Sequence, residues 1–75
     1  MTDIDKLYLI HSCVIVDINS AIAYLTQARE DFMEGKLANS IDSLGRTLKE
    51  MKSAQDGISK FIQVREKNNE NNPTL

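Results

Sequence analysis

Two side chains could do nucleophilic or acid–base chemistry, and they stand two residues apart. His11 and Cys13 are the only histidine and the only cysteine among 75 residues. A histidine titrates near neutral pH and can carry a proton or a phosphoryl group, and a thiolate can attack a carbonyl or a disulfide. A phosphoryl-accepting histidine on a helix needs a nearby lysine and a small residue on its own face, and His11-Ser12-Cys13-Val14 supplies neither. His11 falls in an apolar stripe, so we expect a buried or layer-forming polar residue. Cys13 we expect to be a small buried hydrophobe. One cysteine forms no intrachain disulfide, and no Cys/His cluster for zinc is present.

The carboxylates Glu30, Asp31 and Glu34 lie close together. With no histidine beside them they make a solvated helix end rather than a metal site. The bases Arg46, Lys49, Lys52 and Lys60 could touch phosphates, but they alternate with Asp42, Glu50 and Asp56. The field is therefore mixed, and Tyr8, Tyr24, Phe32 and Phe61 form no platform for stacked bases. We expect no enzyme: no catalytic residue, no cofactor and no metal.

The bulk numbers agree. A chain of this length forms one domain with a limited core, and it needs a staple or a partner. No staple is visible, so association is the remaining route. The net charge of −2 argues against bulk attraction to nucleic acid or acidic lipid. The start, Met1-Thr2-Asp3-Ile4-Asp5, is acidic and unlike a secretory leader, and the apolar run Leu7–Val16 is short of the ~20 residues that span a bilayer. We therefore expect a cytoplasmic protein and no membrane partner.

The elements that hold these residues are helices. Thr2-Asp3-Ile4-Asp5 resembles a capping box, with Thr2 as cap and Asp5 three residues on. Apolar stations follow at Ile4, Tyr8, His11, Ile15, Ile18, Ile22, Leu25, Arg29 and Phe32, seven of the nine being apolar at alternating steps of four and three. A second stripe overlaps the first at Leu7, His11, Val14, Ile18, Ala21, Leu25, Ala28 and Phe32. The first helix thus has a wide apolar face that one helix partner does not cover. Leu9, Val16 and Ala23, with Cys13 near them, lie roughly opposite it.

Gly35 is the expected left-handed cap and turn. Asn39 or Ser40 offers a cap for the second helix, whose start could fall as early as Leu37. Its stations are Leu37, Ile41, Leu44, Leu48, Met51, Gln55, Ile58, Ile62 and Arg65, again seven of nine apolar on a heptad spacing. Asp42→Arg46 and Asp56→Lys60 are favourable i,i+4 pairs. Gly45 and Gly57 sit off this stripe, as tolerated surface glycines or as places for a second backbone to approach. From Lys67 onward, Asn68-Asn69-Glu70-Asn71-Asn72-Pro73-Thr74-Leu75 has no face to bury.

The fold predicted is all-α: a helical hairpin over residues 1–67, with helices near 3–34 and 38–67, a turn at Gly35 and a disordered tail over 68–75. Residues 1–34 carry a net −4 and residues 35–75 a net +2, which favours the two arms lying together. Folding at the turn pairs residues whose numbers sum to about 70. Phe32 then meets Leu37 or Ala38, Ile22 meets Leu48, Ile18 meets Met51 or Lys52, Ile15 meets Gln55, and Tyr8 meets Ile62. His11, Ser12 and Gln55 make a polar layer in that seam. A bare hairpin leaves one side of each helix wet, and two hairpins closing into a four-helix bundle is the simplest solution.

Two resemblances add to this. Ala28-Arg29-Glu30-Asp31-Phe32-Met33-Glu34-Gly35-Lys36, followed by Ile41 and Leu44, looks like the inter-helix turn of a single tetratricopeptide repeat. Thr2-Asp3, Gly35 and the segment Leu48-Lys49 to Ile58 resemble the small helical-hairpin co-chaperones of type III secretion needle subunits. That resemblance implies binding to a partner chaperone through helix faces and no catalysis. The function expected is a protein–protein interaction module, an adaptor, co-chaperone or anti-factor, binding another protein, itself as a homodimer, or both. The assembly residues expected are Ile15, Ile18, Ile22, Leu25, Leu44, Leu48, Met51 and Ile58, with Leu9, Cys13 and Val16 as a further partner surface. The alternative is a dimeric nucleic-acid-associated regulator using the outer face of the second helix.

Overall fold

The computed structural model describes the backbone of residues 2–71 and the side chains of residues 2–67. It is a helical hairpin: α1 runs Asp3–Met33, α2 runs Leu37–Asn71, and the rod measures 57 × 18 × 14 Å. The capping box forms as expected. Thr2 Oγ1 accepts from the Asp5 backbone N–H at 3.1 Å, and the Thr2 N–H donates back to Asp5 Oδ2 at 3.3 Å.

α1 ends because Gly35 takes a φ of +79°, open to a residue without a Cβ. The Gly35 N–H donates to the Phe32 carbonyl at 3.0 Å and the Lys36 N–H to the Asp31 carbonyl at 2.8 Å. Together these two bonds satisfy two of the end carbonyls in a Schellman arrangement. α2 starts directly at Leu37, and Ser40 is already inside it, with its N–H on the Lys36 carbonyl at 3.0 Å. Ser40 is therefore not a cap. Its hydroxyl crosses to the other helix and donates to the Ala28 carbonyl at 2.8 Å.

The antiparallel register matches a sum near 70. Ser40 bonds Ala28, the Ser53 hydroxyl donates to Asp17 Oδ2 at 2.6 Å, and Gly57 faces Val14. The phase, however, differs from expectation by one residue. The seam of α1 follows Leu7, Ile10, Val14, Asp17, Ala21, Tyr24, Ala28 and Asp31, and that of α2 follows Ser40, Ser43, Thr47, Glu50, Ala54, Gly57, Phe61 and Val64, all buried or half-buried. Both keep strict heptad spacing. The buried apolar members are small: Val14, Ala21, Ala28 and Ala54. Small residues let two backbones approach closely, and their hydroxyls are satisfied where they lie, as in the Thr47 donation to the Ser43 carbonyl at 2.9 Å. Among the described residues no buried side-chain nitrogen or oxygen lacks a partner.

Other expectations change with the phase. Ile22 and Leu48 share a height but stand side by side on one exposed face instead of facing each other. No polar layer of His11, Ser12 and Gln55 forms in the seam, since all three are exposed. Ser12 is bonded to its own helix, at the Tyr8 carbonyl. The ion pairs found among the described residues are local: Lys36–Glu34, Arg46–Asp42 and Lys52–Asp56, the last replacing the expected Asp56–Lys60 pair. α2 also continues to Asn71, beyond the expected end at Lys67, because no glycine or proline interrupts the chain before Pro73. Of the tail expected to be disordered over 68–75, residues 72–75 lie outside the described residues.

Candidate functional site

A helix turns by about 100° per residue, so a stripe one residue beyond the seam faces nearly at right angles to it. In an antiparallel pair this offset, repeated on both helices, brings the two stripes onto the same side of the rod. The large apolar residues exposed there are Ile4, Tyr8, Ile15, Ile18, Ile22, Leu25 and Phe32 from α1, and Leu37, Ile41, Leu44, Leu48, Met51, Ile58 and Ile62 from α2. Exposure is large for single members: Ile22 58%, Leu48 66%, Tyr8 76%.

Between the two ridges runs a groove. Its middle part is a cavity of about 730 Å³ walled by Ile18, Ile22, Leu25, Leu48, Met51 and Ile58, with Ala21, Thr47 and Ala54 at the seam below. Towards the turn a second cavity of about 470 Å³ continues past Leu25 and Leu44 to Phe32 and Met33. Of the residues expected to drive assembly, Ile15, Ile18, Ile22, Leu25, Leu44, Leu48, Met51 and Ile58 all stand on this face, exposed. The remaining expected residues do not join them. Leu9, Cys13 and Val16 are exposed one residue to the other side of the α1 seam, on the opposite side of the rod.

The residues singled out for chemistry are not brought together. His11 lies exposed on the stripe, its ring tilted 53° to that of Phe61 with centroids 6.4 Å apart, so it is not the buried histidine expected. Cys13 is exposed rather than buried, because the seam passes through Val14 and turns its neighbour outward. Of the three acids near the turn, Asp31 is buried and accepts from Gln27 Nε2 at 2.9 Å, so it is not part of a solvated end. Glu34 pairs with Lys36 at 3.1 Å. That hydrogen bond and the Glu34 charge, with a smaller contribution from Asp31, raise the Lys36 ammonium above its ordinary 10.5 against a slight opposing desolvation. Among the described residues no three His, Cys, Asp or Glu side chains gather into a metal-binding group. On the outer side of α2, Arg46 is held by Asp42 at 3.3 Å and lies 5.8 Å over the Tyr24 ring, and Lys52 sits 3.9 Å from Asp56.

The apolar character of α1 extends past the expected limit at Val16. By length and composition alone, an 18-residue window of this helix is apolar enough to cross a membrane. The same test is passed by core helices and leader segments, and Asp17, bonded to Ser53, lies in the middle of the helix.

The second stripe of α1 held half of its seam, Leu7, Val14, Ala21 and Ala28, and of the two readings of Gly57 the close approach of a second backbone is the one found. Sequence reasoning missed Ser43 and Thr47 and gave Ser40 only as a cap; the available signal is their heptad spacing opposite Val14, Ala21 and Ala28. Compared with known protein families, characterised proteins and solved structures, the chain matches none.

Proposed function

We propose that this chain is a non-enzymatic protein–protein interaction module of the cytoplasm, acting as an adaptor, co-chaperone or anti-factor through the two-helix apolar face. The observation that supports this is the placement of fourteen large apolar side chains on one side of the rod, while the four buried apolar residues are small. A soluble monomer rarely exposes a contiguous apolar patch beyond about 300–600 Å². This face offers on the order of 1,000 Å², a little above the ~800 Å² that each partner gives to a stable interface. The closed form of such a hairpin is a four-helix bundle, in which a second pair of helices covers the face. Its resemblance to secretion co-chaperones suits the same role, since those proteins act by lending a helix face.

The test is the double substitution Ile22→Asp with Leu48→Asp, which leaves the seam untouched. The native complex, isolated from the source cell and weighed intact, loses its partner in the variant. A wild-type chain that is monomeric, fully helical and cooperatively melting at every concentration, and that enters no complex in the cell, would contradict the proposal.

A further inference from the structure

We propose that the occupant of the apolar face is a second copy of this chain, laid antiparallel across it, with its two-fold axis at Ile18 and Met51. This rests on the interaction module proposed above and names its partner. The angle between the two surfaces of each helix carries the first step. In a triangle of three helices the two neighbours of one helix lie about 60° apart, and in a square of four they lie about 90° apart. Seam and stripe are one residue apart on both helices, hence about 100°. The offset suits a square, so the face is built for two further helices rather than for one helix lying in the groove.

The second step is the match in length and in charge. Side by side across the groove, the stripes form nine rungs from Ile4 beside Arg65 to Phe32 beside Leu37, with Ile18 beside Met51 as the fifth. Covering them requires two apolar helix faces about 40 Å long, and a second hairpin supplies both at the right spacing. Two symmetric placements use every rung. With the hairpins pointing the same way, each rung meets itself, α1 against α2: Arg65 then faces Ile4 between the carboxylates Asp3 and Asp5, whereas Arg29 faces Ile41, whose neighbour Asp42 is already held by Arg46. With the hairpins antiparallel, α1 lies on α1 and α2 on α2, and the first rung meets the ninth. Arg29 then faces the ring of Tyr8 of the other copy, a cation–π pair formed twice. Arg65 comes to the other copy's turn, beside the Glu34 carboxylate that already holds Lys36. Arg65 meets carboxylates in both placements, so the pairing of Arg29 with Tyr8 is what favours the antiparallel one.

The experiment uses the full chain. Wild type is expected to sediment at twice the chain mass, with a melting temperature that rises between about 5 and 500 µM, as linkage to dimerisation requires. Nitroxide on Ala38→Cys in a Cys13→Ser background reports the direction. Helical rise puts the two labels about 40 Å apart in the antiparallel dimer, whereas hairpins pointing the same way bring them within about 20 Å. Ile18→Asp opposes two carboxylates at the axis and is expected to weaken the dimer at least ~100-fold. Tyr8→Ala weakens it about 10-fold, and Leu9→Asp with Val16→Asp, on the far side, leaves it unchanged. A label distance near 20 Å overturns the antiparallel placement. A chain that stays monomeric alone but enters a complex with a different protein, lost on Ile18→Asp, overturns the second copy and leaves the interaction module standing. A stable monomer that enters no complex overturns both.

Discussion

Val14 Cγ2 lies 2.6 Å from the point where Gly57 would carry a Cβ. The two helices are close enough here that a single methyl group does not fit beside the branched side chain of Val14. Overpacking at Gly57→Ala costs about 1–3 kcal/mol against the ~1 kcal/mol that alanine gains over glycine in a helix, so a net destabilisation of up to about 2 kcal/mol is expected. Gly45, which has open space around its Cβ position, is the contrast: Gly45→Ala is expected to stabilise by about 1 kcal/mol. Urea denaturation of the two variants, read side by side, checks the opposite signs.

The turn allows a similar forecast. Gly35 sits at a φ of +79° with nothing near its Cβ position, so an added side chain meets backbone strain and no clash. Gly35→Ala is expected to cost about 1 kcal/mol, and Gly35→Asn less, because asparagine enters the left-handed region more readily. Thermal melting of the three proteins at equal concentration would rank them; equal stability of wild type and the alanine variant would refute the strain.

Ser40 joins the helices by one buried hydrogen bond, to the Ala28 carbonyl. Ser40→Ala removes the donor and is expected to cost about 1 kcal/mol. Ser53→Ala, at the more exposed bond to Asp17, is expected to cost less. Midpoints of chemical unfolding with unchanged slopes distinguish loss of stability from loss of structure.

Much of this fold is legible in the residues. The Thr2–Asp5 box, the glycine turn, two helices and a register near 70 follow from capping and periodicity. The rotational phase does not. Hydropathy weights Ile, Leu and Phe heavily, so it points to the bulky stations as the seam. Ser40, Ser43 and Thr47 look polar, and Gly57 is open to two readings, until their spacing is set against Val14, Ala21 and Ala28. What distinguishes the two phases is how closely the backbones approach, and side-chain hydropathy carries no term for that. For the same reason the bulky stripe residues could be named from sequence, while the direction in which they face could not.

Alkaline conditions probe the turn separately. Lys36 has its ammonium raised by Glu34, so its folded value exceeds the unfolded 10.5. A raised pKa contributes stability that is fully present below the unfolded value and is lost as pH rises through the folded one. Any such contribution is small for so exposed a pair; in wild type it should fade as pH rises past 10.5 and through the higher folded value, and it should be absent throughout in Lys36→Met. A pH titration of the melting temperature for both proteins would show the two curves converging at high pH.

The one-residue offset between seam and stripe also makes the chain intolerant of a particular kind of genetic change. Deleting any single residue between Ala21 and Ala28 would turn everything beyond it by about 100°. The bulky set would swing into the place of the small one, and the small set into solvent. Substitutions can adjust either surface alone, whereas a one-residue deletion or insertion inside either helix turns both surfaces out of place together. Length variation is thus tolerable only where no phase is being kept, at the turn and beyond the last rung.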